Sequence, residues 1–132
     1  MKATPKKKAA VGGPAIDTTV LVKKLLSDVP ERAREVLTYR FGLGASASRE
    51  TLEEIGERWS ITRERVRQIE SAGLDAVRNG KAFKDAEPAF AALQAHIASL
   101  GGIVPEDELL AGLAKDEKTR NRYRFLLVVG SA

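Results

Sequence analysis

Apolar residues recur at helical spacing in two neighbouring stretches in the middle of the chain. The residues that carry this pattern are Leu52, Ile55 and Trp59 in the first stretch and Val66, Ile69 and Val77 in the second. Spacings of three and four residues place such side chains on one face of a helix. The two stretches therefore predict two amphipathic helices in succession.

Both stretches begin with residues that are typical of helix N-termini. Thr51 is followed three residues later by Glu54, which is the pattern of a capping box. At the start of the second stretch, the Thr62 hydroxyl can accept a free backbone N–H. Gly56 lies where the two helices would cross, and its lack of a side chain permits a close approach. The segment therefore predicts a helix, a tight turn and a second helix that ends near Arg78.

The second helix has a polar face on the side opposite Val66 and Ile69. At roughly 100° per residue, four of its side chains share one arc: Arg63, Glu64, Arg67 and Gln68. Arginine can pair with guanine, glutamine with adenine, and glutamate can accept a hydrogen bond from cytosine. Helix-turn-helix proteins read the major groove with such groups at a helix N-terminus. A solvated charged face on an ordinary amphipathic helix fits the periodicity equally well, so both interpretations stay open at this point.

Two further helices are predicted before this segment. Asp17 can cap a helix that runs to about Leu26. Pro30 suits the first turn of the next helix, which should end near Phe41 because Gly42 follows. The side chains expected to face the core are Val20, Leu21 and Leu25 in the first helix and Ala33, Val36, Leu37 and Phe41 in the second.

After Asn79 and Gly80, the pattern predicts a linker over 81–85 and a second helical unit over 86–132. This unit should contain three helices and a very short strand, which are Pro88–Leu100, Ile103–Val104, Pro105–Leu113 and a helix capped by Asp116. Its inward side chains are expected to be Phe90, Leu93, Ile97, Leu100, Tyr123, Leu126 and Leu127. The predicted fold class is all-α, with a helix-turn-helix domain over 16–80 and a basic, disordered tail over 1–15.

The charge balance favours an anionic partner. The 132 residues include 22 Lys and Arg against 18 Asp and Glu, which gives a net charge of +4 and a pI near 9.5. The lysines at positions 2, 6, 7 and 8 can attract phosphates, although a solubilising tail explains them as well. No apolar run approaches the roughly 20 residues that span a bilayer, and no secretory signal follows Met1. These features favour the cytoplasm and no membrane contact.

Catalytic and metal-binding signals are missing from the sequence. With no cysteine and one histidine, His96, the chain has neither a thiol nucleophile nor the ligands of an ordinary zinc site. We find no phosphate-binding loop of the Walker type, no nucleophile elbow and no acid–base pair in a known frame. We therefore expect no enzyme, no cofactor, no metal and no small-molecule substrate.

The segments VLTYRFGL and TLEEIGERWSITRERVRQIE resemble region 4 of bacterial sigma factors of the housekeeping type. In that family, region 4 binds the −35 promoter element and a flap helix of RNA polymerase. The resemblance implies base contacts for Arg63, Glu64, Arg67 and Gln68, DNA-backbone contacts for Thr51 and Arg65, and polymerase contacts for Phe41 and Arg40. For Phe41, an ordinary place in the core is the alternative.

Several positions depart from the pattern of this family. The family often has a basic residue where Thr38 stands, which weakens the expected phosphate grip. It commonly has basic residues in place of Ala72, Asp75 and Ala76, so the resemblance does not extend to contact with activators. The resemblance covers nothing like the sigma regions that bind the −10 element and melt DNA, and the chain starts with its own Met1. We therefore do not expect a working sigma factor.

Further along the chain, the segment HIASLGGIVPEDELL resembles part of a winged helix of the HARE type. This resemblance rests on few residues and implies a partial winged helix, because the wing hairpin that should follow is missing. Near its end the sequence has instead an apolar run from Leu126 to Val129. We expect this run to be the exposed edge of an unfinished core in the N-terminal part of a longer protein.

Taken with the resemblance, the polar face predicts a sequence-specific DNA-binding transcription regulator. It should recognise a −35-like promoter element in double-stranded DNA through the helix that starts near Thr62, with the RNA polymerase core as a second partner. The alternative is a protein-interaction module that docks on RNA polymerase and binds DNA only incidentally. An intact face of Arg63, Glu64, Arg67 and Gln68 favours the first interpretation, since a docking module would not need it.

Overall fold

The computed structural model describes residues 16–130, so the predicted basic tail over 1–15 lies outside the described residues. Within 16–130 the regular structure consists of eight helices and no strand. In chain order they are α1 (Thr18–Leu26), α2 (Glu31–Phe41), α3 (Leu52–Trp59), α4 (Arg63–Arg78), α5 (Lys81–Asp85), α6 (Glu87–Ser99), α7 (Glu106–Leu113) and α8 (Glu117–Gly130). The predicted all-α fold class with a helix-turn-helix is confirmed.

The helices start and stop where the local chemistry requires it. An Asp17 carboxylate oxygen accepts the Val20 N–H at 3.3 Å at the start of α1, and an Asp116 carboxylate oxygen accepts the Thr119 N–H at 2.9 Å in α8. Gly42 ends α2 with a φ of +66°, a left-handed conformation that glycine adopts without steric cost.

Most of the helices contribute to one large apolar core. Its fully buried members include Leu25 from α1, Leu37 from α2, Val77 from α4, and Phe125 and Leu126 from α8. The helices α6 and α7 add side chains to the same core, so residues of both predicted units pack together. The division of the chain into two domains at 81–85 stays a prediction.

The last helix, α8, joins the two halves of the chain. It packs against α1, α2, α4 and α7. The Phe125 ring meets the Phe41 ring edge-on, with centroids 5.2 Å apart. At the end of α4, the Arg78 guanidinium donates to the carbonyl oxygens of Val128 at 2.9 Å and Val129 at 3.0 Å. These contacts attach the C-terminal segment to the body of the helix-turn-helix.

The C-terminal apolar run was expected to be exposed, and this expectation is wrong. Leu126 and Val129 are fully buried, and Leu127 and Val128 pack partly against the same core. The run belongs to α8, so its side chains point to different sides of the helix. The side with Leu126 and Val129 packs against the earlier helices.

Two inward assignments and the short strand are also wrong. Val20 is 48% exposed because it lies about 160° around α1 from the buried Val22. Leu100 is 49% exposed because α6 ends at Ser99. Ile103 is 95% exposed and forms no strand, since it lies in the three-residue segment without regular structure that connects the Gly101–Gly102 turn, with positive φ, to α7 at Glu106.

The predicted linker over 81–85 forms the short helix α5. Its Ala82 N–H donates to an Asp28 carboxylate oxygen at 3.1 Å, in the loop between α1 and α2. This bond ties the segment to the body of the protein.

Asn121 provides a direct test of the junction between α8 and the rest of the protein. It is fully buried, and its amide nitrogen donates to the Gly42 oxygen at 3.1 Å and the Ala47 oxygen at 2.9 Å. Replacing it by Leu keeps the volume but leaves these carbonyls without their donor. We expect Asn121→Leu to lower the free energy of unfolding by about 2–3 kcal/mol in urea denaturation followed by circular dichroism.

The control is Lys118→Leu, an exposed substitution on the same helix. It should change the free energy of unfolding by less than about 0.5 kcal/mol. Equal effects of the two substitutions would contradict the role of Asn121.

Candidate nucleic-acid interface

The turn between α3 and α4 is built around Gly56. A Cβ at this position would lie 2.6 Å from the Ile61 carbonyl oxygen, which is too close for any real side chain. The Ile61 N–H donates back to the Gly56 oxygen at 2.9 Å. Ser60 adopts a left-handed φ of 57° as it ends α3. The predicted close approach at Gly56 is therefore present, although its neighbour is the turn itself.

A small apolar cluster fixes the angle of α4. Val36 from α2, Ile55 from α3 and Val66 from α4 are each fully buried in it. The side chains that surround this cluster are Tyr39, Leu52, Trp59, Ile61 and Ile69. One buried residue from each of three helices leaves α4 no freedom to rotate about its axis without losing the contact.

Both helices of the turn have the predicted caps. Thr51 Oγ1 accepts the Glu54 N–H at 3.0 Å, and a Glu54 carboxylate oxygen accepts the Thr51 N–H at 2.8 Å, so the capping box is complete. Thr62 Oγ1 accepts the Arg65 N–H at 3.0 Å. The start of each helix is thereby held in a defined conformation.

The structure brings the four predicted base-reading residues together on the exposed face at the start of α4. All four side chains are exposed: Arg63, Glu64, Arg67 and Gln68. Around the helix they lie between about 60° (Arg63) and about 200° (Gln68) from Val66, on the side away from Ile69. Their contact with bases stays a prediction.

Three of these four side chains are already hydrogen-bonded in the free protein. The Glu64 carboxylate accepts from Arg67 Nε at 3.0 Å and from Arg67 Nη2 at 2.7 Å. This bond lowers the pKa of the Glu64 carboxyl and raises the pKa of the Arg67 guanidinium. The predicted backbone residue Arg65 donates from Nη1 to the Gln68 side-chain oxygen at 3.3 Å. Within residues 16–130, the Arg63 side chain makes no hydrogen bond or ion pair, although its charge also helps to lower the pKa of Glu64.

The second predicted backbone residue, Thr51, lies in a cleft of about 490 Å³. The residues that line this cleft are Arg40, Phe41, Arg49, Glu50, Thr51, Glu70 and Arg124. The Thr51 side chain is exposed, and its oxygen already accepts the capping bond. Its hydroxyl hydrogen is the group that it can offer to a phosphate.

The two predicted polymerase contacts have different surroundings. Phe41 is only 9% exposed and packs on Phe125, which agrees with the ordinary core position given as its alternative. Arg40 is partly exposed and donates to a Glu70 carboxylate oxygen at 3.2 Å and to the Glu50 carbonyl oxygen at 3.1 Å. Arg40 therefore ties α2 to α4 and to the loop before α3.

Sequence reasoning missed Arg49 and Arg124. Arg49 is exposed, stands two residues before Thr51, and makes no hydrogen bond or ion pair within the described part of the chain. Its position two residues before Thr51, a predicted DNA-backbone contact, could have marked Arg49 as a candidate in the sequence. Arg124 reaches the same cleft from α8, and no local pattern in the sequence relates it to Thr51.

The described residues contain neither a metal-binding group of three or more His, Asp or Glu side chains nor a helix long and apolar enough to cross a membrane.

Comparison with known proteins gives a match over the same region. The sequence model of the family "Sigma-70, region 4" matches residues 25–79. The chain is 43% identical over 63 residues to the RNA polymerase sigma factor RpoD of Helicobacter pylori, which covers 48% of the chain and 9% of that protein. It is 43% identical over 65 residues to the RNA polymerase sigma factor SigA of Clostridium acetobutylicum, which covers 47% of the chain and 17% of that protein.

A third relative is the RNA polymerase sigma factor SigA of a Bacillus species, with 44% identity over 72 residues, 49% of the chain and 19% of that protein. The chain thus spans less than a fifth of the length of each of these relatives. Region 4 of sigma-70 factors is a DNA-binding, RNA polymerase-associated and non-catalytic domain. The match ends at residue 79, and the resemblance of the following part to a HARE-type winged helix stays a prediction.

Two glycines in helices test whether the turn depends on the missing side chain. We expect Gly56→Ala to lower the free energy of unfolding by about 1–3 kcal/mol, because the added Cβ meets the Ile61 oxygen. The matched control is Gly112→Ala in α7, where a Cβ would find nothing within 4 Å. That substitution should raise the free energy of unfolding by up to about 1 kcal/mol through helix propensity. Thermal or urea unfolding measures both, and a change of the same sign in the two variants would refute the steric explanation.

Proposed function

We propose that this chain, whose residues 25–79 form a domain of the sigma-70 region 4 type, is a sequence-specific DNA-binding transcription regulator. It recognises a −35-like promoter element through the start of α4. The observation that carries the proposal is the exposed arc of Arg63, Glu64, Arg67 and Gln68, held outward by the burial of Val66.

The geometry supports the usual docking mode of a helix-turn-helix. The first two turns of α4 enter the major groove, and α3 crosses the DNA backbone. Arginine hydrogens can then pair with guanine O6 and N7, and the Gln68 amide with adenine N6 and N7. The buried cluster of Val36, Ile55 and Val66 keeps these groups in one orientation while the helix is in the groove.

Phosphate contacts at the edge of this face set the register on the duplex. Thr51 and Arg65 supply two of them, as the resemblance implies. Arg49 adds a third, because it is an exposed cation without an internal partner beside Thr51. Such contacts raise the affinity for every duplex and carry no sequence information.

We further propose that the RNA polymerase core is a second partner, since the relatives are RNA polymerase sigma factors. Arg40, which is partly exposed, is the candidate for this contact, while Phe41 is covered by α8. The alternative of a docking module with incidental DNA binding has less support, because the one apolar residue assigned to docking is buried. In this proposal the protein works in the cytoplasm, where it meets both partners.

The proposed function predicts a preference for −35-like DNA that survives added salt. Binding is measured by fluorescence anisotropy on a labelled −35-like duplex and on a scrambled duplex of the same composition. Affinity for both should fall steeply between roughly 50 and 200 mM salt, because each phosphate contact releases counterions. The −35-like duplex should stay the tighter ligand throughout. Equal affinity for the two duplexes at moderate salt would contradict sequence-specific binding.

A separate prediction concerns Arg49. Replacing it by Ala should weaken binding to the −35-like and scrambled duplexes equally and reduce the salt slope by about one, as expected for a single lost phosphate contact. The control is Lys84→Ala, which removes the same charge from α5, beyond the C-terminal end of α4. The 16 residues of α4 make this helix roughly 24 Å long, so α5 follows at the end opposite the reading end. If Arg49→Ala and Lys84→Ala change the slope to the same extent, Arg49 is not a phosphate contact.

A further inference from the structure

We propose that α8 extends the DNA interface beyond the family match, with Arg124 as a contact to a phosphate of the DNA backbone. Arg124 lies outside residues 25–79, so the match assigns it no role. This inference deepens the proposed function and rests on its DNA-binding part. It is carried by the position of the Arg124 guanidinium, which lines the cleft of about 490 Å³ together with Arg49 and Thr51.

The buried side chain of Asn121 fixes Arg124 relative to the loop before α3. Its amide nitrogen donates to the carbonyl oxygens of Gly42 and Ala47 in that loop. Its amide oxygen accepts a hydrogen bond from Arg124 Nη1 at 2.6 Å. One amide therefore contacts both the loop that leads to Arg49 and the guanidinium on α8. Folding alone brings the two arginines to one cleft.

The Arg124 guanidinium keeps hydrogens that can bind an anion. Its Nε donates to a Glu106 carboxylate oxygen at 3.0 Å and its Nη1 donates to Asn121, so the group is held in place from two sides. Its Nη2 makes no hydrogen bond within residues 16–130. Every buried polar side-chain atom among these residues has a partner, so Nη2 is open to solvent although the side chain is only 14% exposed. An ordered arginine with free hydrogens suits a phosphate oxygen.

The charges around the cleft favour an anion. Its lining contains three arginines and two glutamates. Both glutamates are already paired, Glu50 with Arg58 and Glu70 with Arg40. The carboxylate that pairs with Arg124 lies outside the lining and is 58% exposed, so water screens its charge. Positive charge therefore remains on the cleft side of the lining.

The place of the cleft in the fold favours a DNA phosphate over a free phosphate ion. Thr51, which lines it, is the N-cap of α3. In the docking mode of a helix-turn-helix this helix crosses the DNA backbone. A duplex held by the start of α4 thus carries its backbone past the cleft. A contact made there adds affinity for every duplex and carries no sequence information.

Salt-dependent binding of the full chain tests the role of Arg124. Fluorescence anisotropy is measured for Arg124→Gln and Arg124→Lys on the −35-like duplex and on the scrambled duplex. We expect Arg124→Gln to weaken binding to both duplexes equally, by up to roughly tenfold at about 0.1 M salt, and to reduce the slope of log affinity against log salt by up to about one. Arg124→Lys should keep the slope, because its ammonium group keeps the charge.

The matched control is Arg122→Gln. It removes the same charge from α8 at a position about 200° around the helix from Arg124 and outside the cleft lining. It should leave the salt slope unchanged. Circular dichroism checks that each variant is folded under the binding conditions.

A second measurement needs no folded variant. The Nε–H signal of Arg124 in ¹⁵N spectra of the unsubstituted chain should shift when the duplex is added at an equal concentration of protein. Inorganic phosphate at the same concentration as the duplex phosphates should leave this signal in place. If the duplex causes no shift, the contact is wrong. If inorganic phosphate shifts the signal as strongly as the duplex does, the cleft binds the free ion, and the assignment to DNA is wrong.

The outcomes separate this inference from the function on which it rests. If Arg124→Gln changes the slope no more than Arg122→Gln, or if Arg124→Lys loses as much of the slope as Arg124→Gln, Arg124 is structural and the inference is wrong. A preference of the full chain for the −35-like duplex would then still support the proposed function. If the full chain binds both duplexes equally, sequence-specific recognition fails, while a uniform loss in Arg124→Gln still supports the phosphate contact. If the full chain binds no duplex, both fail.

Discussion

The burial of Val66 against Val36 and Ile55 is the contact on which the rest of the interface depends. Each of the three side chains comes from a different helix, so this one contact sets both the position and the rotation of α4. Once Val66 points inward, the 100° step of the helix directs Glu64, Arg67 and their neighbours to the solvent. The absence of a side chain at Gly56 lets the turn come close enough for this contact to form. The polar face is therefore a consequence of apolar packing beneath it.

The segment after residue 79 supports this arrangement from the other side. The helix α8 lies against α1, α2 and α4, covers Phe41 with Phe125, and receives the Arg78 hydrogen bonds at the end of α4. Its Asn121 also holds the loop that leads to α3 through the Gly42 and Ala47 carbonyls. The part of the chain outside the family match thus completes the core of the part inside it. It also contributes Arg124 to the cleft beside Thr51.

Local chemistry made much of the fold predictable. The caps at Asp17, Thr51 and Thr62 and the stop at Gly42 follow from single residues and their neighbours, and the exposed arc of α4 follows from helical periodicity. The errors at Val20 and Leu100 have local causes, since Val20 lies on the far side of α1 from Val22 and α6 ends before Leu100. The error at the C-terminal run has another cause, since burial there depends on packing between distant parts of the chain. The hydrogen-bond partners within the site could not be predicted for a similar reason. The spacing of Glu64 and Arg67 is visible in the sequence, but the choice of partner for each side chain is made in three dimensions.

We propose the start of α4 as the surface that meets DNA. Chemical-shift mapping of the ¹⁵N-labelled chain with a −35-like duplex tests it most directly, because every non-proline amide reports separately. We expect the largest shifts in Arg63 to Gln68 and in the segment from Arg49 to Leu52, with α6 and α7 nearly unchanged. Large shifts confined to α6, α7 or the loop around Ile103, with the start of α4 unaffected, would contradict it.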